Sequence, residues 1–286
     1  MKQSLDLEEK EGALRSLHYL RLARLQHVLM GAMTTWLVVT MSDGSTTARF
    51  FSPLAIGLDI LGASLFYFAA ANKMYILKDR SYALYKKQRV VVTALGLMAM
   101  LGAIVVATCC LSRLCVCLTI FNALVILYYK DFVSKRWWSK NPMIAMVCVT
   151  PILIGWAAGE NTHPSVPSAA ILAFFAYLVR EIIKDIQDQR VDRHLRLTLP
   201  LVFGPTLARW TAGFLLLLGL YFWLLLAASV PTGQYHVFVP LLIGLSYFGR
   251  VTYSLLLSKA GQEAKESKQI LIGNVCLILA FFLLVV

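Results

Sequence analysis

SAAILAFFAYLVREIIKDIQDQRVDRHLRLTLP, residues 168–200, runs from an apolar stretch straight into a dense row of charges. That transition is the pattern of a helix leaving a lipid bilayer, where apolar side chains end and ionised ones meet water. The same alternation recurs along the chain. A crossing helix needs about 20 mostly apolar residues, and on that basis nine segments qualify: 25–41, 53–72, 90–108, 114–129, 142–159, 168–183, 210–230, 237–257 and 270–286. The weakest divide lies at Ser112-Arg113, where two spans nearly fuse. Composition agrees. Of 286 residues, 59% are hydrophobic and 15% charged, against roughly 25% charged in soluble domains. The expected fold is therefore an all-α polytopic membrane bundle of about nine transmembrane helices. It forms one transmembrane domain over residues 25–286, with no signal peptide ahead of it. Residues 1–24 are read as a cytoplasmic arm whose leucines, set among charges, suit the membrane surface.

Charge orients the bundle. The net charge is +12, yet the cations lie in the connections between spans rather than on a soluble face, which argues against nucleic acid as a partner. With the N-terminus in the cytoplasm, the arm carries 5 Lys and Arg, and the later cytoplasmic connections carry 6, 4, 6 and 4. The other side holds only Arg49 and Arg113. The positive-inside rule thus predicts a cytoplasmic N-terminus and an external C-terminus, with a bacterial inner membrane as the expected location. The six cysteines fall in or beside apolar spans, read as small buried hydrophobes.

The charged row carries the chemistry. Asp185, Asp188 and Asp192 stand at i, i+3 and i+7, positions that share a helical face. Carboxylates brought together repel unless a cation lies between them, and Mg²⁺ commonly takes one or two carboxylates plus phosphate oxygens. The face therefore suits a metal-bridged diphosphate at the membrane surface. A solvated helix end of mixed charge is the plainer alternative.

Beyond spacing, the row Arg180-Glu181-Ile182-Ile183-Lys184-Asp185-Ile186-Gln187-Asp188, with Asp192 and then Thr198-Leu199-Pro200, resembles the second aspartate-rich motif of UbiA-type prenyltransferases. It is most similar to members that make geranylgeranylglycerol-phosphate lipids. Weaker likenesses are Arg89-Val90-Val91-Val92, Tyr129-Lys130 with Lys135-Arg136, Asn141, and Arg21 with Gln26-His27. The resemblance implies a helical bundle around a central chamber, capped on the cytoplasmic side by two aspartate-rich motifs. Mg²⁺ there would hold the diphosphate of a polyprenyl donor, and a lipid or aromatic acceptor would attack the prenyl group within the chamber. On this reading Asp185, Asp188 and Asp192 hold metal, and Asp188 and Asp192 are catalytic. Asn72, Lys73, Arg80, Arg89, Lys130, Lys135 and Lys184 face the diphosphate.

The chain departs from the family at the first motif, which would read Asn-Asp-x-x-Asp-x-x-x-Asp. Here Asn72 is followed by Lys73, Ile76 and Arg80 in place of the aspartates, and Asp79 is one position off. Two readings follow. Lys73 and Arg80 could neutralise the diphosphate in place of a metal ion. Otherwise the chain is a degenerate relative that binds lipid or a partner without transferring anything.

Other classes fit less well. No repeated halves or broken mid-membrane helices point to a transporter, and the five histidines are dispersed without metal-ligand spacing. Asp59, inside a span, is placed toward the outer leaflet with a structural role, and Asn122 and Asn274 are expected to bond between helices. Trp137-Trp138, flanked by Arg136 and Lys140, reads as an interfacial anchor.

Overall fold

A computed structural model describes residues 25–70, 81–129, 133, 135–161, 163–192, 197–257 and 261–285, with backbone only at 67–70, 81–89 and 191. The arm of residues 1–24 lies outside the described residues. The order is α1 Leu25–Met41, α2 Thr46–Ala70, α3 Ser81–Cys110, α4 Arg113–Tyr128, α5 Trp137–Ala158, α6 Ser165–Gln187, α7 Gln189–Asp192, α8 Leu199–Phe203, α9 Pro205–Ala228, a 3₁₀ turn at Tyr235–Val237, α10 Phe238–Leu256 and α11 Glu263–Val285. Among the described residues there is no strand. Among the described residues seven helices are long and apolar enough to cross a membrane, and two apolar helices, α1 and α4, are shorter. The all-helical membrane fold is thus as the sequence predicts, and nine apolar segments recur as helices, seven of them at full spanning length.

Consecutive helices pack side by side, and α11 returns to touch α1. Helix α6 is the hub. It packs on α5, α9 and α11, and 61% of its spanning window is buried, against 28% for α3 at the lipid-facing margin. Its apolar stripe (Val166, Ala169, Leu172, Ala173, Ala176, Val179 and Ile183) enters the main core with Leu216 and Trp223 of α9 and Phe248 of α10. The core therefore forms around the helix that carries the aspartates, and the motif is held at the end of the most constrained element.

Small residues set the closest approach. A Cβ on Gly96 of α3 would stand 2.8 Å from the Phe66 backbone N of α2, and one on Gly62 would stand 2.7 Å from Gly96 O. Each glycine makes room for the other backbone, which is how helices associate where lipid removes the hydrophobic drive. The narrow divide at Ser112 is a true helix break. Ser112 is extended (φ −68°, ψ 156°) and caps α4 by accepting from Cys115 N. Its hydroxyl also donates to Ala157 O at 2.8 Å, tying the break to α5.

Three readings of individual residues change: the cysteines, Asp59 and Asn274. Only Cys115 and Cys276 are buried, while Cys109 and Cys117 lie on the outer surface of the bundle, where an apolar thiol suits lipid as well as a core. Asp59 sits near the middle of α2 rather than at its outer end, 2% exposed. It accepts from Asn122 Nδ2 of α4 at 2.9 Å, and Asn122 Oδ1 accepts from Thr150 of α5 at 2.9 Å. Asn122 thus bonds between helices as expected. Asn274 is buried with no hydrogen bond to either side-chain atom among the described residues.

Candidate functional site

Helix α5 begins where α6 ends, because the two pack antiparallel, so the Trp137–Asn141 turn meets the aspartate row. Helix α6 stops at Gln187, and Asp188 caps it with φ −89° and ψ 7°. The helical bonding pattern nonetheless carries on: Asp188 N donates to Lys184 O at 2.8 Å, and Asp192 N to Asp188 O at 2.9 Å. The three aspartates stay on neighbouring turns but meet different surroundings. Asp185 is 1% exposed and Asp192 3% exposed, whereas Asp188 is open to solvent. Among the described residues no group of three or more His, Cys, Asp or Glu stands close enough to hold a metal ion.

Asp185 already has a cation. Lys140 Nζ donates to its Oδ1, and Asn141 Nδ2 donates to Oδ2 at 3.0 Å. Asn141 was legible in the sequence, but Lys140 was read only as a flank of the tryptophan pair. Its partner lies 45 residues away, and no local pattern announces it. Lys184 Nζ pairs with Glu181 of its own helix, and Arg180 stands 3.6 Å from the same carboxylate oxygen. Lys135 is exposed at the mouth of α5. Asn72, Lys73, Arg80, Lys130 and the side chain of Arg89 lie outside the described residues.

Residues 198–204 lie back against this end as a strap. Gln189 Nε2 donates to Pro200 O at 3.3 Å, and Phe203 of α8 meets Trp137 edge to face, centroids 5.0 Å apart. Gly204, at φ +85°, turns the strap into α9; this left-handed conformation favours glycine. Trp138 is more than half exposed, with the Arg136 guanidinium 5.8 Å from its ring centroid, as an interfacial anchor would be.

A second polar cluster, unforeseen in the sequence, lies at the same end of the bundle. Arg209 of α9 donates to Glu263 at 2.9 Å and to Glu266 at 2.5 Å, both on α11, and Ser254 of α10 donates to Glu266 at 2.6 Å. Arg209 and Glu266 are 2% and 1% exposed. Three helices are thereby pinned beside the strap.

The donor set suits Mg²⁺ in part. Asp188 and Asp192, one helical turn apart, match the one or two carboxylates that Mg²⁺ takes beside phosphate oxygens. Asp185 is engaged by Lys140 and Asn141 instead. With Lys135, Arg136, Arg180, Lys184 and Arg190 at the same end, the arrangement offers cations around a small acidic surface, the chemistry that holds a polyanion such as a diphosphate.

Comparison with known proteins bears on the fold and the family. Curated relatives include digeranylgeranylglyceryl phosphate synthases of Methanopyrus kandleri, 32% identical over 99 residues (34% of this chain, 36% of that protein), and of Haloquadratum walsbyi, 38% identical over 117 residues (40% and 41%). A third, from Natronomonas pharaonis, is 30% identical over 46% of this chain and 52% of its own length. The chain therefore matches about half or less of the length of these relatives. The fold is shared with a solved structure concerned with digeranylgeranylglyceryl phosphate synthase in membranes (TM-score 0.66, 20% identity, 92% of this chain and 95% of that one). It is shared also with a UbiA homologue from Archaeoglobus fulgidus bound to DMAPP and Mg²⁺ (TM-score 0.65, 15% identity, 93% and 98%). The model of the UbiA prenyltransferase family matches residues 84–275, which include both the turn before α6 and the aspartate row, and the chain belongs to that family.

Proposed function

We propose that the protein is an intramembrane prenyltransferase, moving a polyprenyl group from its diphosphate to a membrane-associated acceptor. The observation that carries this reading is the Arg180–Asp192 row at the end of the central helix α6, inside a chain matched by the family over residues 84–275. The diphosphate binds at the charged end and the prenyl chain lies among the apolar helices. Mg²⁺, when bound, would supply the charge that stabilises the departing diphosphate. Asp188 and Asp192 are the carboxylates placed to hold it. Lys135 and Lys184, with Asn72, Lys73, Arg80, Arg89 and Lys130, supply cations and a polar contact to the same anion. The strap from Thr198 to Gly204 limits water at this end, so that a cationic prenyl group meets the acceptor before it meets water. The names of the curated relatives favour a glycerol-phosphate lipid over an aromatic acceptor.

The test is turnover and binding of a labelled polyprenyl diphosphate by the full chain in nanodiscs, with Mg²⁺ or with chelator. Asp188→Ala is expected to lower transfer by about 10²–10³ or more, as loss of one electrostatic element does, while the protein still folds. Unchanged turnover would remove Asp188 from the site. The missing first-motif aspartates favour a second reading, a lipid- or partner-binding relative without transfer. Binding indifferent to both Mg²⁺ and Asp188 would establish it.

A further inference from the structure

Lys140 and Asp185 are each placed where an isolated charge is unfavourable. Lys140 lies in the first turns of α5, the positive end of a helix dipole, and Asp185 in the last turn of α6, the negative end. Both are almost wholly buried, at 2% and 1% exposure. A buried ammonium or carboxylate is tolerated only when paired and hydrogen-bonded. Here Lys140 takes Oδ1, Asn141 takes Oδ2, and the pair bridges the two helices that frame the site. Both oxygens of the first aspartate are thus directed at side chains of α5, whereas Asp188, three residues on, faces solvent.

We propose that Lys140 is the resident counter-cation of Asp185, standing where a divalent ion would otherwise sit, so that metal binding in this protein falls on Asp188 and Asp192 without Asp185. An ammonium neutralises one carboxylate but cannot gather several oxygens as a divalent ion does. The cluster therefore takes fewer metal ions than its three aspartates suggest. The proposal rests on the prenyltransferase reading only in taking this end as the diphosphate end; its geometry does not depend on the reaction.

The test uses metal alone, without donor or acceptor. Mn²⁺ binding to the full chain in nanodiscs is titrated by electron paramagnetic resonance. Asp185→Asn is expected to bind Mn²⁺ as wild type does, and Asp188→Asn to bind it weakly. Lys140→Met frees Asp185 and is expected to tighten binding by roughly 10–100-fold, the range over which a ligand's neighbours move metal affinity. The double variant Lys140→Met/Asp185→Asn loses that gain. Should Lys140→Met fail to purify as a folded protein, Lys140→Gln, which keeps a donor on the carboxylate, takes its place. Weakened binding in Asp185→Asn, or no gain on removing the ammonium, overturns the proposal. Binding that appears only once Lys140 is removed also overturns it, because Asp188 and Asp192 would then hold no metal in the wild type.

Discussion

A buried arginine with two carboxylates is a costly arrangement to break. Arg209 is 2% exposed and donates to both Glu263 and Glu266. Glu266→Ala leaves it beside one, more exposed partner, and removing one partner of a buried pair costs about 3–5 kcal/mol. Thermal unfolding in detergent is expected to show that loss, with Arg209→Met/Glu266→Leu recovering most of it. His163, in the connection from α5 to α6, gives a pH test. Burial lowers its pKa, against a smaller raising effect of Asp43, and its Nδ1 lies 2.6 Å from the Ser165 hydroxyl. The folded state thus binds fewer protons than the unfolded one just below the ordinary histidine range. Its stabilising contribution is present above that range and is lost as pH falls through the lowered pKa. Unfolding midpoints from pH 7 to pH 5 should fall less in His163→Gln than in wild type; equal falls would rule His163 out as the source. The candidate site divides along the same line between local and distant. Asp185, Asp188, Asp192 and Asn141 were legible because motif and spacing are local. Lys140 and Arg209 were not, because their partners lie 45 and 57 residues away and only packing joins them.

Between elements, the contact of α2 with α3 rests on two glycines. Gly96→Leu would force a side chain into the space held by the Phe66 backbone, since even a Cβ there stands 2.8 Å from Phe66 N. Backbone cannot yield as a flexible side chain can, so the helices must part. A clear fall in the thermal midpoint is expected, whereas Gly249→Ala, with nothing within 4 Å of its added Cβ, should match or slightly exceed wild type because alanine favours the helix. Equal behaviour of the two variants would deny the close approach. Helices were the most legible level of the fold. The run Leu25–Met41 appears as a helix that ends where expected, at Met41, because a continuous apolar run in lipid must satisfy its backbone internally. What escaped were the ends. Helix α3 is already helical at Ser81, well before its apolar window at Val90, since a charged helix can continue into water. The short α7 and α8 were invisible because their form depends on contacts such as Gln189 with Pro200.

At the level of the whole molecule, polarity and burial converge on one end. The two buried ionic clusters, the strap and the exposed Asp188 all lie where α5, α9 and α11 begin and where α6 and α10 end. By the reading of the sequence, 25 of the 27 Lys and Arg fall in the connections assigned to this face, with Arg49 and Arg113 in those assigned to the other. Translocating so many cations is unfavourable, so the positive-inside rule predicts that the site faces the cytoplasm, the side from which the proposed diphosphate donor would reach it. Single-cysteine labelling checks this. Glu160 and Lys135 are both exposed, in connections at opposite ends of α5. On a background lacking Cys109, Cys110 and Cys117, Glu160→Cys in intact cells is expected to react with a membrane-impermeant maleimide, and Lys135→Cys only after permeabilisation. The inverse pattern would place the aspartates outside, and the donor would then have to cross the membrane before meeting its site. Such a result would contradict both the charge distribution and the direction of entry assigned to the diphosphate, because a single register of alternating helices fixes the two together.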